Sequence, residues 1–107
     1  MDVVERLEQN GIRVDLSLVA DIARGFGVAE LSVFGSAIRE DIRADSDVDV
    51  LVTFDPAADI SLFDLMDLEV ELTRAFGRSV DLVEAKSLTN PIRRRAILAS
   101  REPLYAA

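Results

Sequence analysis

Two aspartates, Asp47 and Asp49, alternate with valines in the segment DVDVLVTF (47–54). A valine-rich run of this length that ends at a turn signal is typical of a β-strand. Because side chains two apart on a strand share a face, both carboxylates should point one way and the valines into the core. Like charges side by side repel each other unless a cation compensates them. The spacing therefore indicates either a cation site or a solvated strand face.

A third carboxylate, Asp81, lies in the strand-like run SVDLVEA (79–85). If that strand neighbours 47–54, Asp81 joins the same cluster. Three such acids can hold two Mg²⁺ ions about 3.5–4 Å apart, which clamp an in-line phosphoryl displacement. An EF-hand calcium loop starting at Asp45 does not fit the alternating acids, because its sixth position is Val50 instead of glycine and its twelfth is Pro56 instead of glutamate.

A Gly-Ser pair, Gly35 and Ser36, follows the β-like run AELSVFG (29–35) and precedes a segment that can begin a helical turn. Backbone N–H groups at such a point can bind phosphate, and glycine lets the phosphate come close. Alone, the dipeptide most often marks a turn, and it is neither a Walker A loop nor a dinucleotide fingerprint. Placed just upstream of the paired acids, it predicts a nucleoside triphosphate site.

The elements that must position these residues alternate between helices and short strands. Apolar periodicity predicts helices over 3–10, 16–27, 60–77 and 91–100, strands over 29–35, 47–54 and 79–85, and a short apolar tail at EPLY (102–105). One two-layer α/β or α+β domain over residues 1–107 is the expected fold, with a small sheet whose helices cover one face and leave the other available for a site.

Local signals refine the helices. Asp15 is expected to be an N-cap and Gly27 a C′ residue, and Pro91 suits the first turn of the last helix. An apolar stripe on the 60–77 helix is expected to lie in the core, and it consists of Leu62, Leu65, Met66, Leu68, Leu72 and Phe76.

The composition restricts the chemistry. The chain has no cysteine and no histidine, which excludes disulfides, zinc–thiolate sites and Ser-His-Asp catalysis and leaves carboxylates to carry any reaction. Residues 35–90 hold 13 acidic and 5 basic side chains, a balance that attracts divalent cations and disfavours direct nucleic-acid binding. With no membrane span or signal peptide in the sequence, we expect a cytoplasmic protein.

The segment GSAIREDIRADSDVDVLV (35–52) resembles the signature G-S-x-x-R-x-D-x-x-x-x-S-D-x-D-x-x-V of minimal nucleotidyltransferases, which are relatives of polymerase β. The matching residues are Gly35, Ser36, Arg39, Asp41, Ser46, Asp47, Asp49 and Val52. The resemblance extends from about residue 16 to the end of the chain. It implies a small mixed sheet with helices on one face, and nucleotidyl transfer from ATP with two Mg²⁺ ions.

The resemblance also implies roles for single residues. Gly35 and Ser36 would hold the triphosphate, Asp47 and Asp49 would ligate both metal ions, and Asp81 would ligate the catalytic ion and help to deprotonate the acceptor hydroxyl. Arg39 and Ser46 are assigned to the same nucleotide site. Arg39 either neutralises phosphate charge or pairs with Asp41 or Glu40, and Ser46 is expected to cap the turn that orients the strand. Arg93, Arg94 and Arg95 are expected on a solvated helix face, with a partner or phosphate contact as the alternative.

Little of the chain remains after the third acid to build an acceptor pocket, so we expect another protein to complete it. The resemblance is to the antitoxin half of toxin–antitoxin modules whose partner is a helical HEPN-type toxin, which such a transferase neutralises by adding AMP to a tyrosine hydroxyl. Two alternatives stay open. One is a binding module that neutralises its partner by occlusion. The other is a nucleotidyltransferase of small molecules, as in antibiotic modification, in which a homo-oligomer supplies the second wall.

Overall fold

A four-stranded mixed sheet organises the structure, a computed structural model that describes all 107 residues. The strands are β1 (Val28–Phe34), β2 (Val48–Phe54), β3 (Val80–Glu84) and β4 (Glu102–Ala106), in the spatial order β3-β2-β1-β4. β2 and β3 are parallel, and the other neighbours are antiparallel. The helices are α1 (Val3–Gln9), α2 (Leu16–Gly25), α3 (Leu62–Phe76) and α4 (Pro91–Ser100). The predicted α+β fold with a small mixed sheet is confirmed.

The main core lies between one face of the sheet and the first three helices. Val48, Val50 and Val52 of β2 are fully buried there, on the opposite side from Asp49, as their alternation predicts. The helices contribute apolar residues to the same cluster, among them Leu7, Val19, Leu68 and Leu72.

The second face of the sheet is partly covered by α4. Ile97 of this helix packs with Phe34, Leu51 and Leu88 in a smaller cluster, and Leu51 alternates with the buried valines of β2. The expectation of helices on one face therefore holds for α1, α2 and α3, whereas α4 lies on the other. Its apolar residues shield Phe34 and Leu51 from water, and the same face carries Asp49.

The helix ends follow the predicted signals. The Asp15 carboxylate accepts hydrogen bonds from the Ser17 and Leu18 amides at 3.0 and 3.2 Å, so it caps α2. Gly27 just beyond that helix has a φ of +71°, which is the left-handed conformation expected of a C′ glycine. Pro91 occupies the first turn of α4, as predicted. None of the four helices has the length and apolar character needed to cross a lipid bilayer.

Two further details differ from the sequence-based expectations. In α3, Leu68, Leu72 and Phe76 are buried, but Leu62 and Met66 are exposed on the outer side of the helix, so their assignment to the core is wrong. The segment predicted as an apolar tail is the edge strand β4, which pairs with β1. Its strand character is hidden in the sequence because it contains Pro103, a residue that sheets accommodate at their edges.

Candidate active site

Asp49 and Asp81 are direct neighbours across the parallel pair of β2 and β3. Neighbouring strands lie about 4.8 Å apart, and residues paired in this way point to the same face. Both carboxylates belong to the second face, because Val48 and Val80, next to them in sequence, fill the main core. Asp47 precedes the first residue of β2 and is exposed. The structure thus places all three predicted acids at one edge of the β2–β3 pair.

The charges around Asp49 reflect this crowding. Burial raises the pKa of the Asp49 carboxyl, and the negative charges of Asp81 and Asp47 raise it further. The positive charges of Arg39 and Arg93 act on the same pKa in the opposite direction. An acidic cluster is therefore flanked by two cations, one from the segment after β1 and one from α4.

Asp47, Asp49 and Asp81 are the candidate ligands for magnesium. As they stand, no three acidic side chains of the structure converge closely enough to form a metal-binding group. Carboxylate oxygens are nonetheless the donors that Mg²⁺ prefers, and the strand register holds Asp49 and Asp81 side by side. The donor type and the backbone positions of Asp49 and Asp81 fit the ion. The metal-ligand roles of Asp47, Asp49 and Asp81 stay a prediction.

Gly35 provides the space in which the Asp49 carboxylate lies. It begins a short 3₁₀ segment, Gly35–Ile38, with a φ of +73°. A Cβ atom at Gly35 would overlap Oδ2 of Asp49, and an L-residue adopts this φ only with strain. The sequence suggested that this glycine admits a phosphate. The structure adds a reason that the sequence did not suggest, since the glycine also admits the carboxylate of the neighbouring strand.

The 3₁₀ segment containing Ser36 is held in place by Asn10, at the end of α1. The Asn10 Nδ2 amide donates hydrogen bonds to the carbonyl oxygens of Ala37 at 2.7 Å and Arg39 at 2.8 Å. From the sequence, Asn10 is predicted only to end the first helix. Its contacts are with residues 27 and 29 positions away, and no local sequence pattern predicts them. Asn10 is thus a positioning residue for the Gly-Ser segment.

The loop before β2 is fastened at Ser46. Its hydroxyl accepts a hydrogen bond from the Arg43 amide at 3.0 Å. Arg78, just before β3, donates through Nη1 to the carbonyl oxygens of Arg43 at 3.0 Å and Ser46 at 3.4 Å. Ser46 therefore caps the turn before β2, as expected. A direct contact between Ser46 and the nucleotide stays a prediction.

Arg39 pairs with Asp41, one of the two acids proposed for it. Its Nε atom donates to Oδ1 of Asp41 at 3.0 Å, and this hydrogen bond holds the pKa of the Asp41 carboxyl below its usual value. Both side chains are largely exposed. The positive charge of Arg39 also acts to lower the pKa of Asp49, so Arg39 lies near the acidic cluster, and its contact with phosphate stays a prediction.

Arg93 is a candidate site residue whose role the sequence left undecided. It lies one helical turn before Ile97, whose side chain packs on Phe34 and Leu51, so α4 presents both residues toward the second face. None of the ion pairs of the chain involves Arg93. Helical spacing places both Arg93 and Arg94 on the side of α4 that carries Ile97, and Arg94 Nη1 donates to the carbonyl oxygen of Ala85 at 3.3 Å. The spacing could therefore set apart only Arg95.

Comparison with known proteins identifies the family. The profile of the nucleotidyltransferase domain family matches residues 16–104, a range that contains the Gly-Ser segment and all three acids. The chain belongs to this family. The nucleotidyltransferase is 39% identical over 85 residues to the protein adenylyltransferase MntA of Thermococcus cleftensis. The alignment covers 79% of this chain and 81% of the relative.

Solved structures share the fold. One, described as a candidate minimal nucleotidyltransferase, matches with a TM-score of 0.70 and 31% identity over 96% of each chain. A chain from the complex of a tri-AMPylated Shewanella oneidensis HEPN toxin with an MNT antitoxin matches with a TM-score of 0.61 and 19% identity, covering 86% of this chain and 70% of that one. The nucleotidyltransferase therefore has the fold of minimal nucleotidyltransferases, as its signature implied.

Proposed function

We propose that this nucleotidyltransferase transfers AMP from ATP to a hydroxyl group of a partner protein. The observation that carries the proposal is the register pair of Asp49 and Asp81, with Asp47 and the Gly-Ser segment beside it. A relative named as a protein adenylyltransferase supports both AMP as the transferred group and a protein as the acceptor. A toxin–antitoxin complex of the same fold that was crystallised with AMP-PNP supports an adenine nucleotide as the substrate.

The proposed reaction joins AMP to the acceptor oxygen and releases pyrophosphate. The acceptor oxygen attacks the α-phosphorus of ATP, the bond from that phosphorus to the bridging oxygen breaks, and pyrophosphate leaves. The acceptor's proton passes to a carboxylate and then to solvent. Asp81 is the proposed proton acceptor because it is exposed at the cluster, and because the chain has no histidine or cysteine to take its place.

The surrounding residues bind and orient the nucleotide. Asp47, Asp49 and Asp81 would hold Mg²⁺, which when bound neutralises triphosphate charge and activates the attacking oxygen. Gly35 and Ser36 would lie against the phosphates. Charges on the phosphate oxygens would be met by Arg39 and Arg93, which approach the acids from two different elements. Ser46 keeps the loop before β2 in place through its bond with the Arg43 amide.

For the acceptor we propose a tyrosine hydroxyl of a HEPN-type toxin, with the nucleotidyltransferase acting as the antitoxin. Support comes from the complex in which a HEPN toxin carries AMP and is bound to an MNT antitoxin of the same fold. The tyrosine is the part of this proposal that rests on the signature resemblance alone.

The test is to co-express the nucleotidyltransferase with a HEPN-type toxin and to measure the mass of the purified toxin. We expect added AMP with the wild type and with the control Asp45→Asn, an exposed loop acid outside the cluster. The double variant Asp47→Asn/Asp49→Asn should leave the partner unmodified and active. An unmodified partner beside the wild type would overturn the proposal. Neutralisation by the double variant, without modification, would establish occlusion instead.

A further inference from the structure

The outer side of α3 is apolar although it faces solvent. Phe63 is 75% exposed, Leu62 70%, Met66 53% and Val70 51%. Scattered exposed apolar residues are common, but a contiguous group of them marks an interaction surface. These four residues, here named the outer ridge, supply half of the exposed large hydrophobic side chains of the chain.

The geometry of the helix makes the outer ridge continuous and separates it from the core. Leu62, Met66 and Val70 follow one another at four-residue spacing, and Phe63 lies three residues before Met66, so neighbouring side chains are in reach of each other. The opposite side of α3, with Leu68, Leu72 and Phe76, packs into the core. The ridge therefore points away from the sheet, and nothing in the packing of this domain requires it to be apolar.

The ridge is bordered by negative charge. Residues 59–73 contain five acidic side chains and no basic one, and the acids are Asp59, Asp64, Asp67, Glu69 and Glu71. Asp67 lies four residues after Phe63, and Glu69 lies three after Met66, so acids border the ridge on both sides. An apolar strip with an acid on each side is complementary to an apolar strip flanked by lysine or arginine.

The same charges argue against a second copy of this chain as the occupant. In a two-fold symmetric dimer the same patch meets itself, so Asp67 and Glu69 of one copy would face the same two acids of the other, on chains that each carry a net charge of −8. Repulsion of this kind suppresses self-association.

We propose that the outer ridge is the docking site of a partner protein, which presents an amphipathic helix with an apolar face flanked by basic residues. Pairing of two amphipathic helices, as in coiled coils, uses apolar anchors at helical spacing. The inference does not depend on the proposed transfer reaction, because the sheet separates α3 from the acidic cluster. A partner seated on the ridge would leave the acids free.

Peptide binding tests the proposal. The probe is a fluorescent leucine–lysine peptide of about 18 residues with leucines at amphipathic helical spacing, and its controls are a scrambled peptide of the same composition and a leucine–glutamate version. By anisotropy at physiological salt we expect the amphipathic basic peptide to bind at least about tenfold more tightly than either control, a difference of about 1.4 kcal/mol. Equal binding of the basic and scrambled peptides, or no binding, would overturn the inference.

Variants locate the binding. Met66→Lys should weaken peptide binding about tenfold or more, since it places a like charge at the centre of the ridge. The matched control is Ile92→Lys, a residue that is 81% exposed on α4, on the other face of the sheet, and it should bind as the wild type does. Equal losses in the two variants would contradict the assignment. So would a wild-type dimer in sedimentation velocity that Met66→Lys converts to monomers, because a second copy would then occupy the ridge.

Discussion

The two faces of β2 show what alternate residues of one strand can be used for. Val48, Val50 and Val52 are fully buried against the helices, whereas Asp49, between two of them, lies on the second face beside Asp81. The valine face lowers the free energy of the fold by removing apolar surface from water. The aspartate face raises it, because neighbouring carboxylates repel each other. Burial of the three valines outweighs the repulsion between the carboxylates, and the strand therefore holds Asp49 beside Asp81.

The largest expected effect, on the transfer rate, comes from comparing substitutions of two adjacent residues that point to opposite faces of β2. Asp49→Asn should lower the rate of nucleotide transfer by on the order of 10²–10⁴-fold, since charge stabilisation at such a site contributes several kcal/mol. Val50→Ala should leave the rate per folded molecule nearly unchanged and lower the free energy of unfolding by about 2 kcal/mol. Urea unfolding and transfer assays on the same samples measure both quantities. A catalytic loss in Val50→Ala equal to that of Asp49→Asn would remove the distinction.

Gly35→Ala tests whether the acid face depends on the space beside it. The new Cβ would overlap the Asp49 carboxylate at a φ that disfavours L-residues, so we expect a loss of about 1–2 kcal/mol in stability and about tenfold in transfer rate. Gly25→Ala is the matched control, because a Cβ there meets no atom within 4 Å. Thermal melting and initial rates distinguish them. Wild-type activity in Gly35→Ala would show that Asp49 does not need this position.

Arg93→Gln removes one of the two cations that flank the acidic cluster. We expect the KM for ATP to rise about 3- to 10-fold, as for the loss of a charge-assisted contact at an exposed site, with a smaller change in kcat. Arg95→Gln, two residues along α4, should leave KM unchanged. If both variants raise KM equally, the effect belongs to the charge of α4 as a whole and not to Arg93.

The smallest expected effect is the change that Asp49→Asn makes in the free energy of unfolding when no metal ion is present. Because its pKa is raised, Asp49 binds a proton more tightly in the folded chain, so stability falls as the pH rises through that pKa. At pH 7 in EDTA, Asp49→Asn should therefore be more stable than the wild type by about 0.5 kcal/mol, after allowance for solvent screening.

That gain in stability should vanish below about pH 4, where the wild-type carboxyl is protonated. Asp41→Asn should change stability in the opposite direction, because Arg39 lowers the pKa of Asp41 and thereby stabilises the fold above that pKa. Melting curves between pH 3 and 7 measure both variants. A wild type more stable than Asp49→Asn in EDTA at pH 7 would contradict the repulsion.

The elements of the fold were predictable because their signals are local. Alternating valines mark β2, and helical periodicity and caps mark α2 and α4. The edge strand β4 escaped prediction because Pro103 interrupts a short run. In α3 the apolar residues occupy both sides of the helix, so periodicity could not tell which side was buried.

The site was predictable only in part. Asp47, Asp49 and the Gly-Ser pair stand close together in the sequence, and a signature includes them all. Asp81 joins them through strand pairing with Asp49, 32 positions away. The sequence did not predict that the two strands are neighbours, so the third acid could be proposed only if they were. The space at Gly35, the Asn10 bonds and the approach of Arg93 arise from tertiary packing, and no local pattern encodes them.

Isotopic labelling tests the central claim most directly. The purified nucleotidyltransferase is incubated with Mg²⁺, its HEPN-type partner and ATP labelled either at the α-phosphate or at the γ-phosphate. If Asp47, Asp49 and Asp81 catalyse nucleotidyl transfer, label from the α-position will appear on the partner, label from the γ-position will leave as pyrophosphate, and Asp81→Asn will abolish both while melting at a temperature no lower than that of the wild type. Label from the γ-position on the partner, or full labelling by Asp81→Asn, would contradict the account.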